Sequence, residues 1–413
     1  MTARKPSIVL LAMASKAPVP GQMWMTMNYL LGFQRLGYEV AYVEAHGRSP
    51  MMLMQSPEDD QSALVVDFIT RMLRRFGFSG RWAYHALQEG RCYGMSIEEL
   101  HRVYRSADLI VNLHGSTKPL PEHVATGRLV FLETDPVHLQ IELANNDQGT
   151  IEFLEQHAAL FTLAENYGNP DCGLPVTDRF EFKPTRPPVV VDLWQRDGPP
   201  SGDSFRTVGN WRQNWLVLNF QGDVYHWSKH HEFMKFLDLP ARTGQRFEPA
   251  LASLDDEDRL LLEERGWTVR DAGDFGHDTD AYRDFIHGAR AEFSVAKDQN
   301  IRLRSGWFSE RSACFLASGL PVVVQDTAFD CVLPTGEGLF SFRTADEAAD
   351  AIEQVSADPA RHGRRALEIA REYFSHEVVL GNLLSELGVP VPARSSPRRR
   401  ADGEVANTPA VSG

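Results

Sequence analysis

The sequence is short of most features that would announce a function. Its four cysteines, Cys92, Cys172, Cys314 and Cys331, are scattered through 413 residues without a Cys-x-x-Cys pair. That spacing excludes a disulfide framework and a zinc knuckle, and implies a cytoplasmic compartment. No apolar run is long enough to span a bilayer; "SIVLLAMA" passes at once into Ser-Lys-Ala-Pro and reads as a first strand, with no signal segment or membrane insertion expected. Positive charge is also scarce. With 42 basic against 56 acidic residues, the formal charge of -14 argues against a sequence-independent grip on nucleic acid. Neither Gly-x-Gly-x-x-Gly nor Gly-x-x-x-x-Gly-Lys-Ser/Thr occurs, which removes the support for a dinucleotide fingerprint or a triphosphatase phosphate loop.

What is present is the composition of a folded protein, 43% hydrophobic and 24% charged, in a chain long enough for two cores with a cleft between them. Apolar strand-like runs alternate with amphipathic segments, the pattern of an α/β protein with helices packed on parallel sheets. In the first half, "SIVLLAM" leads to a turn at Gly21, a helix "QMWMTMNYLLGFQRLG" closed by Gly37, and a strand "YEVAYVEAHG". Strands then follow at "ADLIVNLHGS", "GRLVFLETDP" and "ALFTLAENYG". In an open parallel sheet ligands sit beyond the carboxyl ends of the strands, which gathers Glu44, His114, Asp135 and Glu165 on one rim.

The Pro/Gly-rich stretch "FKPTRPPVVVDLWQRDGPPSGD" marks a boundary, giving a first domain over residues 1–185 and a second over 186–390. The alternation resumes with "FRTVGNW", a helix "HEFMKFLDLP" ended by Pro240, the strand "GWTVRDAG", the helix "DTDAYRDFIHGA" and the strand "AEFSVAK". Two closing helices follow within "TADEAADAIEQVSADPARHGRRALEIAREYF", and the polar tail over 391–413 is expected to be disordered.

Between these elements, "SERSACFLASGLPVVVQDTAF" opens a helix on polar residues, with Ser305 and Gly306 in the preceding loop and Ser309 at its start. Unpaired N–H groups and the positive end of the dipole make such a terminus an anion site. Lys229, Lys297, Arg302, Arg304 and Arg311 could hold a diphosphate there without a metal; the alternative is that the arginines form a solvated face and Glu310 is a favourable first-turn charge.

The stretch "ACFLASGLPVVVQDTAFDCVLPTGEGLFSFRTADEAADAI" is similar to the nucleotide-sugar half of group 1 (family 4-like) glycosyltransferases, the likeness running from about Ala281 to Phe374. The first half resembles their acceptor domain less strongly. This resemblance implies a GT-B architecture of two facing Rossmann-like domains, with the last helix crossing back to the first. It also implies a nucleoside diphosphate sugar as donor substrate and no resident cofactor. The family places two glutamates, with seven residues between them, ahead of Gly-x-Pro-Val-Val. Counting back from Gly319, those positions are Gly306 and Cys314, and neither is acidic. Glu310, one turn away, stands either as the replacement ribose contact or as a helix cap. Lys229 in "WSKHH" resembles the family's diphosphate lysine, and His114 in "NLHGST" its strand-end histidine.

Sugar transfer needs pre-placed cations where the leaving diphosphate gains charge, and an inverting transfer needs a base. His114 and Asp135 are the candidates for that base; against them stand a structural histidine and an Asx turn before proline. Gly21, Gln22 and Glu44 fall on the acceptor side. His226, His230 and His231 lack a third ligand, so no metal is expected. Trp211, Trp215, Tyr225 and Trp227 read as core or as a stacking surface. Met51 to Met54 read as a mobile acceptor-side loop, and Gly336 and Gly338 as turn glycines or a close approach to the donor sugar. The reading is a metal-independent glycosyltransferase acting on a small soluble acceptor. An epimerase of the same fold, a silent nucleotide-sugar-binding partner and a structural protein are the rivals.

Overall fold

The computed structural model describes residues 4–47, 50–213 and 216–392. Trp215 and the tail from 393 onward lie outside the described residues. The first sheet has eight strands, β1 (Ser7–Leu11), β2 (Glu39–His46), β3 (Arg81–Ala86), β4 (Arg91–Gly94), β5 (Leu109–Leu113), β6 (Leu129–Glu133), β7 (Ala159–Thr162) and β8 (Phe182–Pro184). They are ordered β4-β3-β2-β1-β5-β6-β7-β8, and every pairing but β3 with β4 is parallel. The runs are apolar because helices cover both faces; all five residues of β5 and of β6 are buried.

The second sheet contains β9 (Ser204–Asn210), β12 (Arg246–Ala252), β13 (Arg270–Asp271), β14 (Ala291–Ser294), β15 (Val322–Gln325) and β16 (Leu339–Phe342). Its order, β13-β12-β9-β14-β15-β16, is parallel throughout and is that of a doubly wound nucleotide-binding sheet. A separate hairpin, β10 (Val217–Phe220) and β11 (Asp223–His226), projects from this half, and its Leu218 and Tyr225 pack with Val137 and Ile141 of the first half. In each sheet the strand order reverses beside the founding strand, between β1 and β5 and between β9 and β14. Crevices for ligands open at those two points.

The first helix, Pro20–Arg35, has proline in its first turn and passes through Leu36 into Gly37 at φ 99°. Gly21 therefore lies inside the helix's first turn, not in a turn before it. Pro240 likewise opens a short helix, Leu239–Thr243, instead of ending one, because a proline in the first turn forfeits no intrahelical bond. The last helix, His376–Glu386, lays Leu380, Leu383 and Leu384 into the core of the first half, with Ile8 and Leu30.

The halves also meet through the loop at 304–307. Asn166 N–H donates to Ser305 O (3.1 Å) and Asn166 Nδ2 to Arg304 O (2.8 Å). Gly306 sits at φ 78°, where a Cβ would lie 2.3 Å from Asn166 N. Its residue type is thus set by a backbone approach. Gly306→Ala is expected to lower stability by about 1–3 kcal/mol, seen as a reduced urea midpoint.

Candidate active site in the interdomain cleft

The larger cavity between the halves, about 640 Å³, is built from strand ends. Val208, Gly209 and Asn210 end β9, Ala252 ends β12 with Ser253 just beyond it, and Ala272 and Gly273 follow β13. Opposite stand Pro20, Gly21 and Gln22 of the first helix, and Ser309, Glu310 and Arg311 form one wall at the start of the helix Glu310–Ala317. The Ser309 side chain makes no capping bond to that helix, so its first-turn N–H groups lack the usual side-chain acceptor.

Three cations converge beside this terminus. Arg311 donates to Glu292 (2.6 Å), Val208 O (2.7 Å) and Ser294 Oγ (2.9 Å). Lys297, at the end of β14, donates to Asp135 and lies 3.5 Å from the Trp227 ring centroid. Lys229 is buried, with its ammonium 5.9 Å from the Trp307 ring centroid. Burial, with Arg311 and Lys297 beside it, holds its pKa well below the ordinary lysine range. Such a site favours a bound anion that restores the charge.

A second cavity, about 480 Å³, opens at the ends of β5 and β6 and shares Gln22 and Thr134 with the first. Met13, His114, Glu133, Asp135, His138 and Trp227 are among its lining residues. The pair of cavities joins the two switch points of the sheets.

No family profile matches the sequence, and no curated protein matches it. Solved structures do match it in shape. Anabaena HepE in complex with UDP is 13% identical, with a TM-score of 0.52 over 93% of this chain and 99% of that one. An alpha-glucosyltransferase in complex with UDP and a 13-mer DNA is 9% identical, with a TM-score of 0.54 over 93% of this chain and 100% of that one. The chain has the GT-B fold.

Within the GT-B cleft the expected residues separate into three groups. Ser309, Glu310 and Arg311 line the larger cavity at the start of the Glu310 helix, with Lys229 buried beside Arg311 and Lys297 and neither lysine lining a cavity. Gly21, Gln22, His114 and Asp135 line the cavities from the other half. The third group is engaged elsewhere. Arg304 is held by Asp171 (2.8 Å) and Asp326 (3.3 Å), Arg302 serves the hairpin through Val224 O and Asp223, and Ser305 and Gly306 make the interdomain contact. Glu44 is buried with Ser15, Tyr42 and His46 all directed at its carboxyl, so it ties the β1 loop to β2 and lines neither cavity. Glu165 is held by Arg186 (2.6 Å).

Glu310 is set into the domain interface. Its Oε1 accepts from Asn28 Nδ2 of the first helix (3.0 Å) and from Cys314 Sγ (3.1 Å), and burial pushes its pKa up to about 7. Cys314 thus occupies one glutamate position of the similar family while bonding the carboxylate one turn earlier.

His114 adopts φ 64°, unusual for a non-glycine residue and a strain often kept at functional sites. Gln22 Nε2 meets its Nε2 and Thr134 Oγ1 its Nδ1, both at 2.6 Å. Burial lowers its pKa to about 3, so the ring is neutral; with Gln22 donating to Nε2, Nδ1–H donates to Thr134. That ring positions Gln22 and Thr134 and has no free nitrogen for a substrate proton. His226, His230 and His231 line neither cavity. His226 ends β11, and its ring lies 4.5 Å from His231, which in turn lies 3.8 Å from His230.

Trp307 and Glu133 carry no motif and were not expected. Trp307 lines the larger cavity, donates to Thr134 O (3.1 Å) and faces Lys229. Glu133 ends β6, and burial pushes its pKa up to about 8. A carboxyl that ionises near 8 when folded and near 4.5 when unfolded keeps a proton that the unfolded chain releases. Its contribution to stability therefore falls as pH rises from 4.5 through 8, by about 1.4 kcal/mol per pKa step. Glu133→Gln is expected to flatten the loss of stability between pH 7 and 9, measured by urea unfolding at each pH; an unchanged slope would place the titrating group elsewhere.

Proposed function

We propose that the protein transfers a sugar from a nucleoside diphosphate sugar to a small acceptor. The observation that carries this reading is the placement of buried Lys229 beside Arg311, which stands in the first turn of the Glu310 helix, at the switch point of a doubly wound sheet. The nucleoside lies in the larger cavity along the ends of β9, β12 and β13, and the diphosphate lies against the helix terminus. UDP is the first nucleotide to test, since both structures above hold UDP.

In this reading the breaking bond from anomeric carbon to phosphate leaves charge that Lys229 and the helix N–H groups stabilise more in the transition state than in the ground state, while Arg311 is held by Glu292. These groups supply the charge that a metal provides in other phosphate chemistries, so transfer proceeds without one. The acceptor occupies the smaller cavity, and Asp135 takes its proton. Asp135 is favoured over His114 because its side chain stays partly exposed just beyond the end of β6, whereas both ring nitrogens of His114 are occupied.

The test is nucleotide release. The purified protein is incubated with UDP-, GDP-, dTDP-, ADP- and CDP-sugars, with EDTA, and with a panel of small hydroxyl, thiol and amine acceptors. One donor should release its nucleotide in step with a glycosylated product. Release with an isomerised sugar and no acceptor would replace transfer by epimerisation.

A further inference from the structure

Lys229 has no anchor of its own. Among the described residues its Nζ makes no hydrogen bond or ion pair, and the pull of Glu292 and Asp135 on it is weaker than the push of the cations Arg311 and Lys297. An ammonium so placed is aimed by the backbone that carries it. That backbone is held through the next residue on either side. Ser228 Oγ donates to Trp211 O (3.0 Å) and accepts from Gln213 N–H (3.0 Å), and His230 N–H donates to the same Trp211 O (3.1 Å). Trp211 is fully buried directly after β9, where its N–H donates to Ala252 O at the end of β12 (2.8 Å) and its Nε1–H to Asp258 (2.5 Å). The lysine's segment is thereby tied to two strand ends that line the larger cavity.

The His230 ring completes the tie, and its tautomer is fixed from both sides. With the Ser228 hydroxyl proton spent on Trp211 O, the ring must donate, so Nδ1–H points to Ser228 Oγ (2.6 Å). Nε2 then carries the lone pair that accepts from Arg212 Nη1 (3.3 Å). Arg212 is itself held by Asp255 (2.8 Å) and Asp258 (2.5 Å), so a proton on Nε2 would face a tethered guanidinium. Burial, with the His231 and Arg212 side chains beside it and His226 behind them, lowers the pKa of the ring to about 4 against the pull of Asp258. At neutral pH the ring is therefore an uncharged, directed donor. It lines neither cavity, so what it does for a ligand passes through its neighbours.

We infer that His230 is a positioning residue for nucleoside diphosphate binding: its ring, donating to Ser228, sets the direction from which Lys229 meets the diphosphate. This rests on the reading of Lys229 as the diphosphate lysine. It gives a residue outside both cavities a share of donor affinity that exists only while Lys229 is present. An asparagine at 230 preserves the link, because its N–H₂ donates to Ser228 from the place of Nδ1–H, whereas a leucine fills the space without a donor.

The experiment is a double-mutant cycle read by calorimetric titration of the full chain at neutral pH with EDTA. The probes are UDP, GDP, dTDP, ADP and CDP, and the variants are compared on the nucleotide that binds the parent. His230→Leu should weaken binding at least about fivefold, but by no more than Lys229→Ala does, and His230→Asn less than about threefold; added to Lys229→Ala, His230→Leu should cost less than about twofold more. If His230→Leu fails to fold, Ser228→Ala cuts the same link from its other end and should show the same loss, absent once Lys229 is gone. The inference is overturned if the variant lacking the link binds like the parent, or if His230→Asn is as weak as His230→Leu. It is equally overturned if the loss recurs in full without Lys229, since the ring would then act on the fold at large. Absence of binding by all five nucleotides would instead overturn the donor reading, and this inference with it.

Discussion

Asp135→Asn is expected to lower turnover by about 10²–10⁴-fold, the range for loss of a positioned base, with donor affinity changed less than threefold. Asparagine keeps an oxygen for Lys297 Nζ, so the contact from the end of β6 to the end of β14 survives while proton acceptance is lost. The substitution therefore separates chemistry from closure of the cleft. Single-turnover kinetics at saturating donor and acceptor read the chemical step directly. Full activity in Asp135→Asn would hand the acceptor's proton to an oxygen of the leaving diphosphate, leaving Asp135 as an anchor for Lys297. His114→Ala should act differently. Its ring orients Gln22 and Thr134, so its loss should lower turnover through looser positioning, with little effect on donor affinity.

Lys229→Ala is expected to weaken nucleoside diphosphate binding by about 10–100-fold, the effect of one charge-assisted contact in a buried setting, and to lower turnover further if the contact strengthens as the leaving group charges. Burial and two neighbouring cations make this ammonium costly in the free protein, which is the arrangement expected where an anion supplies the missing charge. Arg304→Ala is the contrasting variant. With its guanidinium between Asp171 and Asp326, its replacement should leave nucleotide affinity within threefold. Equal losses in the two variants would move the diphosphate toward the 304–307 loop.

The fold was legible where strands are short apolar runs ending in polar residues. β1, β5 and β6 could be located because parallel strands are buried on both faces and therefore largely apolar, and β9 and β14 from shorter apolar stretches around Arg206 and Glu292. β12 was missed. Its "RFEPALA" holds Glu248, buried between Arg206 (2.8 Å) and Arg270, and Pro249, so a core strand looks like a loop. Partners 42 and 22 residues away neutralise Glu248, and local pattern does not show them. The hairpin at β10 and β11 escaped for a related reason, since its apolar contacts are with Val137 and Ile141 of the other half.

The candidate site shows the same division. Lys229, Lys297 and Arg311 could be picked out as cations near a helix start. Glu44 was an equally good strand-end carboxylate, yet Ser15 and His46 satisfy it, and only the folded chain reveals that. Glu133 ends the strand that Asp135 follows and could have been found by asking which strand-end carboxylates lack a cation. Trp307 has no sequence signal; its place over Lys229 comes from the loop that Gly306 brings against Asn166.

The measurement that bears most directly on the account is a nucleotide titration, followed by thermal unfolding, of the parent protein and Lys229→Ala in the presence of EDTA. Binding to the folded state alone raises stability by about 2.7 kcal/mol at a ligand concentration of 100 Kd. The account predicts a saturable rise in Tm with UDP or another nucleoside diphosphate, without metal, shifted to at least tenfold higher concentration in Lys229→Ala. No rise with UDP, GDP, dTDP, ADP or CDP, or an identical rise in both proteins, would contradict it.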